Sequence, residues 1–442
     1  MESWTEFCTK SVIDNIVFYL AGDKHKNSSV IKINSENLSV NGELYFLCNF
    51  KAWKSISTCA KNCTSILQHF VHIHSTTKDN IDTDMTEEIF KQLILKSSSW
   101  PIRIQQCMLQ RERVCLFLNR EDIIANSIRM AVKHGVMFGK IKLIGKAFNL
   151  KYQPDTQSDL TSHRLRLIKN IATKALILHG YTLSTEENCA GKYMFTSKSE
   201  GLVDKGYEKY VCGVVKNYQT NSKEICLTRE QYIKCKIDQL AELSEHKLIG
   251  NERNNTKKDL FLHNLANAIV TFELMAVKPS RSVVIGHNNL QENKSITNNK
   301  GASFVLYNTA RIATIIMKYN EKVSYGNYPS LPNIENVDFS QLHEEDEWEL
   351  IYNFIFGYPQ MINDCLRCEA NFCIYPQVVC LFLSRLCQKF SIYYRRIRIL
   401  TLQEGGEHLI SKMFARLYML YALQVVLENA LDILGITPVS QM

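Results

Sequence analysis

Two stretches of this 442-residue chain set aromatic rings beside cations at helical spacing. In the first, Tyr307, Arg311, Thr314 and Lys318 share one stripe of the helix expected over Gly301 to Lys318. Its other side is apolar, with Val305, Leu306, Ala310, Ile312, Ala313, Ile316 and Met317. The second is Tyr393-Tyr-Arg-Arg-Ile-Arg398, the densest aromatic and basic run in the chain. Unstacked bases need a ring and phosphates need positive charge, so both stretches suit an RNA loop. Each also has a plainer reading. The first stripe describes any amphipathic helix with a solvated edge. The hexapeptide serves equally as a helix end whose arginines cap carbonyls and whose tyrosines are half core.

Metal chemistry has two weaker footholds. Cys59 and Cys63 precede His69, His72 and His74, which are zinc-type ligands at no standard finger or knuckle spacing. Cys365, Cys368 and Cys373 fall in what reads as an apolar helical stretch, where cysteine behaves as a small hydrophobe. Both groups read as reduced structural thiols, and no metal or cofactor is expected. The chain has no Gly-x-Gly-x-x-Gly, Walker A, Gly-x-Ser-x-Gly or His-Glu-x-x-His motif.

The elements that must position these residues follow from pattern. Residues 1–110 read as mixed α and β. Val114 to Asn119 reads as a buried strand, Glu121 to His134 as a helix, and Lys140 to Ile144 as a half-buried strand. Asp159-Leu-Thr-Ser-His-Arg-Leu-Arg166 opens a helix running to Gly180, and Tyr210 to Lys216 forms another strand. Residues 183–205 and 246–258 are polar enough for loops. Thr228-Arg-Glu-Gln231 fits a capping box ahead of a helix to Ser244, and Leu260 to Met275 is a further helix. After an Asn-rich segment over Gly286 to Lys300, residues 301–442 read as about five or six helices. Acids at Glu344 to Glu349 start one helix, Gly357-Tyr-Pro359 breaks to the next, and Tyr375-Pro376 opens another. The last buries Met413, Leu417, Leu420, Leu427, Leu431 and Leu434 and stops at Gly435.

Length allows two or three domains. A formal charge of +8 is compatible with an RNA partner without demanding one. Fifteen cysteines without a disulfide framework point to a reducing compartment, and Met-Glu-Ser-Trp-Thr-Glu is no signal peptide, so the expectation is cytoplasmic. No uninterrupted apolar run suggests a membrane span, and no membrane or DNA partner is expected.

Together, Gly301 to Lys318 and Arg416 to Met442 resemble the opening and closing helices of DALR, the helical anticodon-binding domain of arginyl-tRNA synthetases. Tyr307 and Arg311 match the opening motif's aromatic and Arg. Leu434-Gly-Ile436 and Met442 match its close. Asn308-Thr309 departs from the usual Ala-His of that motif, leaving the choice of tRNA open. The order of elements over 111–285 is similar to the synthetase's N-terminal and catalytic domains, with a helical connector. The His-x-Gly-His signature is reduced there to Ser162 and His163, and Asn217 to Lys223 replaces the Lys-rich ATP loop. One imidazole cannot do the work of two. Only about fifty residues separate the signature remnant from the Tyr210 strand, too few for the several strand–helix units of a full nucleotide-binding domain.

The resemblance therefore implies a mostly α fold, an N-terminal α+β remnant of a class I synthetase followed by an all-α DALR helix bundle. It divides the chain at 1–110, 111–285 and 301–442. The chain is identified as a member of the DALR anticodon-binding domain-containing protein 3 family, non-catalytic relatives of arginyl-tRNA synthetase. The family implies a tRNA-binding adaptor that recognises certain arginine tRNAs. It also implies a partner tRNA 3-methylcytidine methyltransferase acting at position 32 of the anticodon loop. Two linked contacts would sharpen such a partner's selectivity. The RNA-binding residues expected are Tyr307, Arg311, Lys318, Tyr393, Tyr394, Arg395, Arg396, Arg398, Arg416 and Met442. The alternatives are a residual ATP-dependent arginine–tRNA ligase, or a protein-interaction scaffold that has lost RNA.

Overall fold

The computed structural model describes residues 7–22, 29–57, 63–74, 83–185, 189–201, 204–245, 255–286, 301–368, 371–400 and 407–439. The chain divides into two compact units, Met1–Met130 with Asn333–Gln360, and Ala131–Pro332 with Met361–Met442.

The first unit holds an antiparallel sheet of β1 (Ile31–Ile33), β2 (Leu44–Leu47), β3 (Ile104–Gln110) and β4 (Arg113–Leu118), in the order β1-β2-β4-β3. Val114, Leu116 and Leu118 are buried in β4, the strand expected at 114–119. Around the sheet lie helices α1 (Thr9–Ala21), α2 (Ile66–His74), α3 (Thr83–Ser97) and α4 (Arg120–His134), the last matching the helix expected from Glu121. A segment from far along the chain completes this unit. The short helix Glu345–Leu350 runs into a π-helical stretch, Ile351–Phe356, and buries Trp348, Tyr352 and Phe356. Its anchor is the fully buried Glu43, whose carboxylate accepts from Leu118 N at 2.8 Å and from Trp348 Nε1 at 2.9 Å. Arg120 lies 3.5 Å from the same carboxylate. A buried charge persists only when paired and hydrogen-bonded in this way.

The second unit is built on four parallel strands, β5 (Ala147–Tyr152), β6 (Thr182–Leu183), β7 (Gly191–Thr196) and β8 (Glu208–Val211), in the order β6-β5-β7-β8. The expected Tyr210 strand is split: β8 ends at Val211, and β9 (Val215–Asn217) pairs in parallel with β10 (Val283–Ile285). Two expectations fail here. Lys140–Ile144 is not a strand, because Ile141 N and Ile144 N bond to Leu178 O and Gly180 O at a helix end rather than to a neighbouring strand. The stretch 183–205, expected as loop, contains β7, whose polar first half hides a buried Met194-Phe195-Thr196 end.

The longer helices of this unit among the described residues are α5 (Asp159–Leu178), α6 (Arg229–Glu245), α7 (Asn255–Met275), α8 (Ala302–Ser324), α9 (Pro376–Arg396) and α10 (Glu407–Leu434). The capping box at α6 forms as its sequence requires, with Thr228 N donating to Gln231 Oε1 at 2.9 Å and Gln231 N donating to Thr228 Oγ1 at 3.2 Å. Gly435, at φ 72°, ends α10 in the left-handed conformation that costs glycine least. Leu409–Leu434 is long and apolar enough to cross a membrane by length and composition, a property that a search for uninterrupted apolar runs passes over; 67% of its most apolar window is buried inside the protein.

The Cys365–Cys373 stretch is not helical throughout. After the helix Tyr358–Cys365, β11 (Leu366–Arg367) and β12 (Cys373–Ile374) pair as a small hairpin. Its Phe372 ring stacks on Tyr193 with centroids 4.3 Å apart and sits 5.9 Å from the ring of Tyr210. Burial pushes the Cys365 thiol up to about 12 and Cys368 up to about 11. In the first unit, Cys63 Sγ lies 3.0 Å from His72 Nδ1 and His69 Nε2 lies 2.8 Å from Ser57 Oγ, while Cys59 falls outside the described residues.

Candidate RNA-binding cleft and the signature remnant

α8 and the end of α9 form the two walls of a cleft of about 690 Å³. From α8 come Tyr307, Arg311, Thr314, Lys318 and Lys322; from α9 and the residues after it come Tyr394, Arg395, Arg396, Arg398 and Leu400. α8 presents this stripe because Val305, Leu306, Ala310, Ile312, Ile315, Ile316 and Tyr319 fill its other side. Met317, expected among them, is exposed instead. Pro376 starts α9, and Arg395 and Arg396 lie in its last turn, where the helix dipole favours cations.

Six cations line the cleft and no carboxylate does, among the described lining residues (Arg311, Lys318, Lys322, Arg395, Arg396 and Arg398). Like charges gathered on one concave surface focus a positive potential that an anionic polymer relieves. Two tyrosines add ring surface, Tyr307 being 46% and Tyr394 39% exposed. The Arg311 guanidinium lies between them, 4.5 Å from the Tyr307 ring centre and 4.7 Å from that of Tyr394.

Of the ten residues singled out from sequence, seven meet here: Tyr307, Arg311, Lys318, Tyr394, Arg395, Arg396 and Arg398. Tyr393 does not, since it is fully buried on the stripe of α9 that also buries Leu383, Leu386 and Phe390. Helical spacing, applied to the hexapeptide, separates the two tyrosines: 383, 386, 390 and 393 share one face. Arg416 is also buried, and its Nη1 donates to Arg398 O at 3.2 Å, so it supports the cleft wall from behind. Met442 lies outside the described residues. Lys322 was missed, one turn beyond Lys318 on the same stripe; extending the periodicity by four residues finds it. Asn308 and Thr309 are buried rather than exposed.

The signature remnant near residue 162 has the opposite character. Ser158 caps α5, its hydroxyl accepting from Thr161 N at 3.2 Å. Ser162 Oγ donates to Asp155 O at 2.9 Å, and Asp155 in turn takes Lys223 Nζ at 2.7 Å. His163 is 8% exposed, with Nδ1 3.1 Å from Arg166 Nη2. Burial, aided by the Arg229 and Arg166 charges, lowers its pKa to about 3, so it is a neutral imidazole at neutral pH. Arg164 is completely buried and donates to four backbone carbonyls, those of Leu274, Gly213, Arg281 and Lys278. Burial lowers its pKa to about 10, which leaves it charged. Ser158, Ser162, His163 and Arg164 each make a contact within the fold.

These features define a class. Residues 305–442 match the DALR anticodon binding domain, so the chain carries that domain. The fold is that of arginyl-tRNA synthetases: the Plasmodium falciparum enzyme superposes with a TM-score of 0.63 at 9% identity, covering 100% of this chain and 99% of that one. The Thermus thermophilus enzyme gives 0.57 at 8% identity over 93% and 96%.

Within that class the resemblance to DALR anticodon-binding domain-containing protein 3 holds. The mouse protein of that name is 31% identical over 236 residues, which are 52% of this chain and 42% of the mouse protein. The zebrafish (Danio rerio) protein is 30% identical over 240 residues, 52% of this chain and 41% of that one. The chain thus spans less than half the length of these relatives. An arginine–tRNA ligase from Caldanaerobacter subterraneus matches a shorter stretch, 30% identical over 149 residues, 34% of this chain and 24% of the ligase. The anticodon-binding domain on a synthetase-like fold supports a tRNA-binding role.

Proposed function

We propose that the protein is a non-catalytic, cytoplasmic adaptor that recognises specific arginine tRNAs and supports 3-methylcytidine formation at position 32 by a partner methyltransferase. The observation that carries the RNA half is the cleft itself, six cations and two exposed tyrosines with no carboxylate among the described lining residues, inside a domain of the anticodon-binding type. Anticodon-loop phosphates would lie along Lys318, Lys322, Arg395, Arg396 and Arg398, with an unstacked base against Tyr307. The choice of arginine tRNAs and of the methyltransferase rests on the family resemblance. The non-catalytic half of the reading rests on His163 and Ser162, which are locked into structural hydrogen bonds where adenylation needs two free imidazoles.

Crosslinking of the protein in cells, followed by sequencing of the bound RNA, tests the reading. Arginine tRNAs should dominate the bound RNA, with crosslinks in the anticodon stem–loop. RNA without tRNA enrichment would overturn the reading. Pyrophosphate exchange dependent on arginine should be absent from the purified chain.

A further inference from the structure

The Arg311 guanidinium is held from both walls of the cleft. Nη2 donates to Tyr307 Oη at 2.6 Å, one turn back on α8. Nη1 reaches Asn308 Oδ1 at 3.5 Å. The plane lies over both tyrosine rings, at 4.5 Å and 4.7 Å, and Tyr394 belongs to α9 on the far wall. Asn308 is fully buried, and its Nδ2 donates to Phe304 O at 2.8 Å, which turns Oδ1 toward Arg311. Stacking occupies the faces of a guanidinium, and on Arg311 two of the edge nitrogens are directed at Tyr307 Oη and Asn308 Oδ1 as well. Lys318, Arg395, Arg396 and Arg398 stand exposed along the cleft instead.

We infer that Arg311 is a positioning residue of the RNA site: it locks Tyr307 and Tyr394 into one Tyr–Arg–Tyr stack that presents a rigid platform for a single unpaired base, while the remaining cations take the phosphates. This rests on the tRNA-binding reading above and divides that site into two parts with different physical signatures. Phosphate contacts release counterions, so losing one flattens the dependence of affinity on salt by about 0.7 in log–log slope for single-stranded RNA. A platform contact releases none. Losing it weakens binding equally at every salt concentration. The stack also explains why Asn stands at 308, a buried position whose carbonyl oxygen steadies the guanidinium.

The test uses the full chain and a transcribed arginine tRNA, with affinity measured by fluorescence anisotropy from 50 to 300 mM salt. Arg311→Met should weaken binding about tenfold throughout with the wild-type slope. Asn308→Ala should shift affinity the same way by about threefold. Arg311→Lys should fail to rescue, because an ammonium lacks the plane that stacks. Arg395→Gln should flatten the slope. Thermal melts of each variant report whether the fold is kept, and Asn308→Ala carries the test if Arg311→Met does not fold. If Arg311→Met flattens the slope as Arg395→Gln does, or if Arg311→Lys binds as wild type, Arg311 is an ordinary phosphate contact and the inference falls while tRNA binding stands. If the wild-type chain binds no tRNA at any salt, the functional reading falls and takes the inference with it.

Discussion

The cleft between α8 and α9 and the turn that opens α5 both hold arginines, and they spend them differently. Arg395, Arg396 and Arg398 stand exposed around open space, whereas Arg164 is sealed among four carbonyls and His163 is held neutral. A charged or titratable side chain is available for a ligand only while the fold leaves it hydrogen-bonding capacity. The turn's serines, histidine and arginine each have an internal partner, and there they serve the structure. The cleft gathers its cations with no carboxylate among its described lining residues, and an anionic ligand relieves their mutual repulsion.

That contrast predicts stability loss on one side and none on the other. Arg164→Met should destabilise the chain by about 3–5 kcal/mol, since it strands four buried carbonyls, and Arg395→Met should change stability by less than about 0.5 kcal/mol. Denaturant midpoints of the two variants check this, and equal losses would erase the distinction. The His163 pKa gives a second handle. Its folded value, about 3, lies below the ordinary 6.5, so between those values the unfolded chain binds a proton that the native chain refuses. Stability from this group is complete above pH 6.5 and falls as the pH drops, by about 1.4 kcal/mol per unit. Burial also lowers His179, which acts in the same sense. His163→Asn should therefore flatten the acid limb of a stability–pH curve, by about 2 kcal/mol at pH 5, and leave its alkaline side alone.

The buried polar rule extends to the other compact unit. Glu43→Gln should cost about 1–3 kcal/mol, because Leu118 N and Trp348 Nε1 each need an acceptor and an amide offers one oxygen. Urea unfolding measures it; a neutral substitution would mean that the carboxylate's own desolvation, which raises its pKa, had cancelled the gain from its bonds. Smaller than the Arg164 and Glu43 effects, the loss from Thr228→Ala should be about 1 kcal/mol as the α6 cap is removed, read as a small drop in melting temperature.

Local periodicity carried most of the cleft. The α8 stripe, the basic end of α9, the α6 capping box and the Gly435 stop each depend on residues within one or two turns, and all were legible. Tyr393 and Tyr394 are the same residue type about 100° apart around the helix, and they separate only when the spacing is carried back through Leu383, Leu386 and Phe390. Lys140–Ile144 alternates as a strand does, yet a strand needs a neighbour, and pairing is not written in the segment itself. Arg164 was invisible for a similar reason: its acceptors sit at 213, 274, 278 and 281, brought together only by the fold. Glu43 and Trp348 meet across 305 positions of sequence, which no window spans.

The most direct test of the central claim replaces Arg395, Arg396 and Arg398 together by Glu and measures affinity for an arginine tRNA at one near-physiological salt concentration. Affinity should fall by more than about a hundredfold with an unchanged melting temperature, since three exposed cations become three anions facing phosphate. Wild-type affinity in a folded triple variant would place the RNA elsewhere and contradict it.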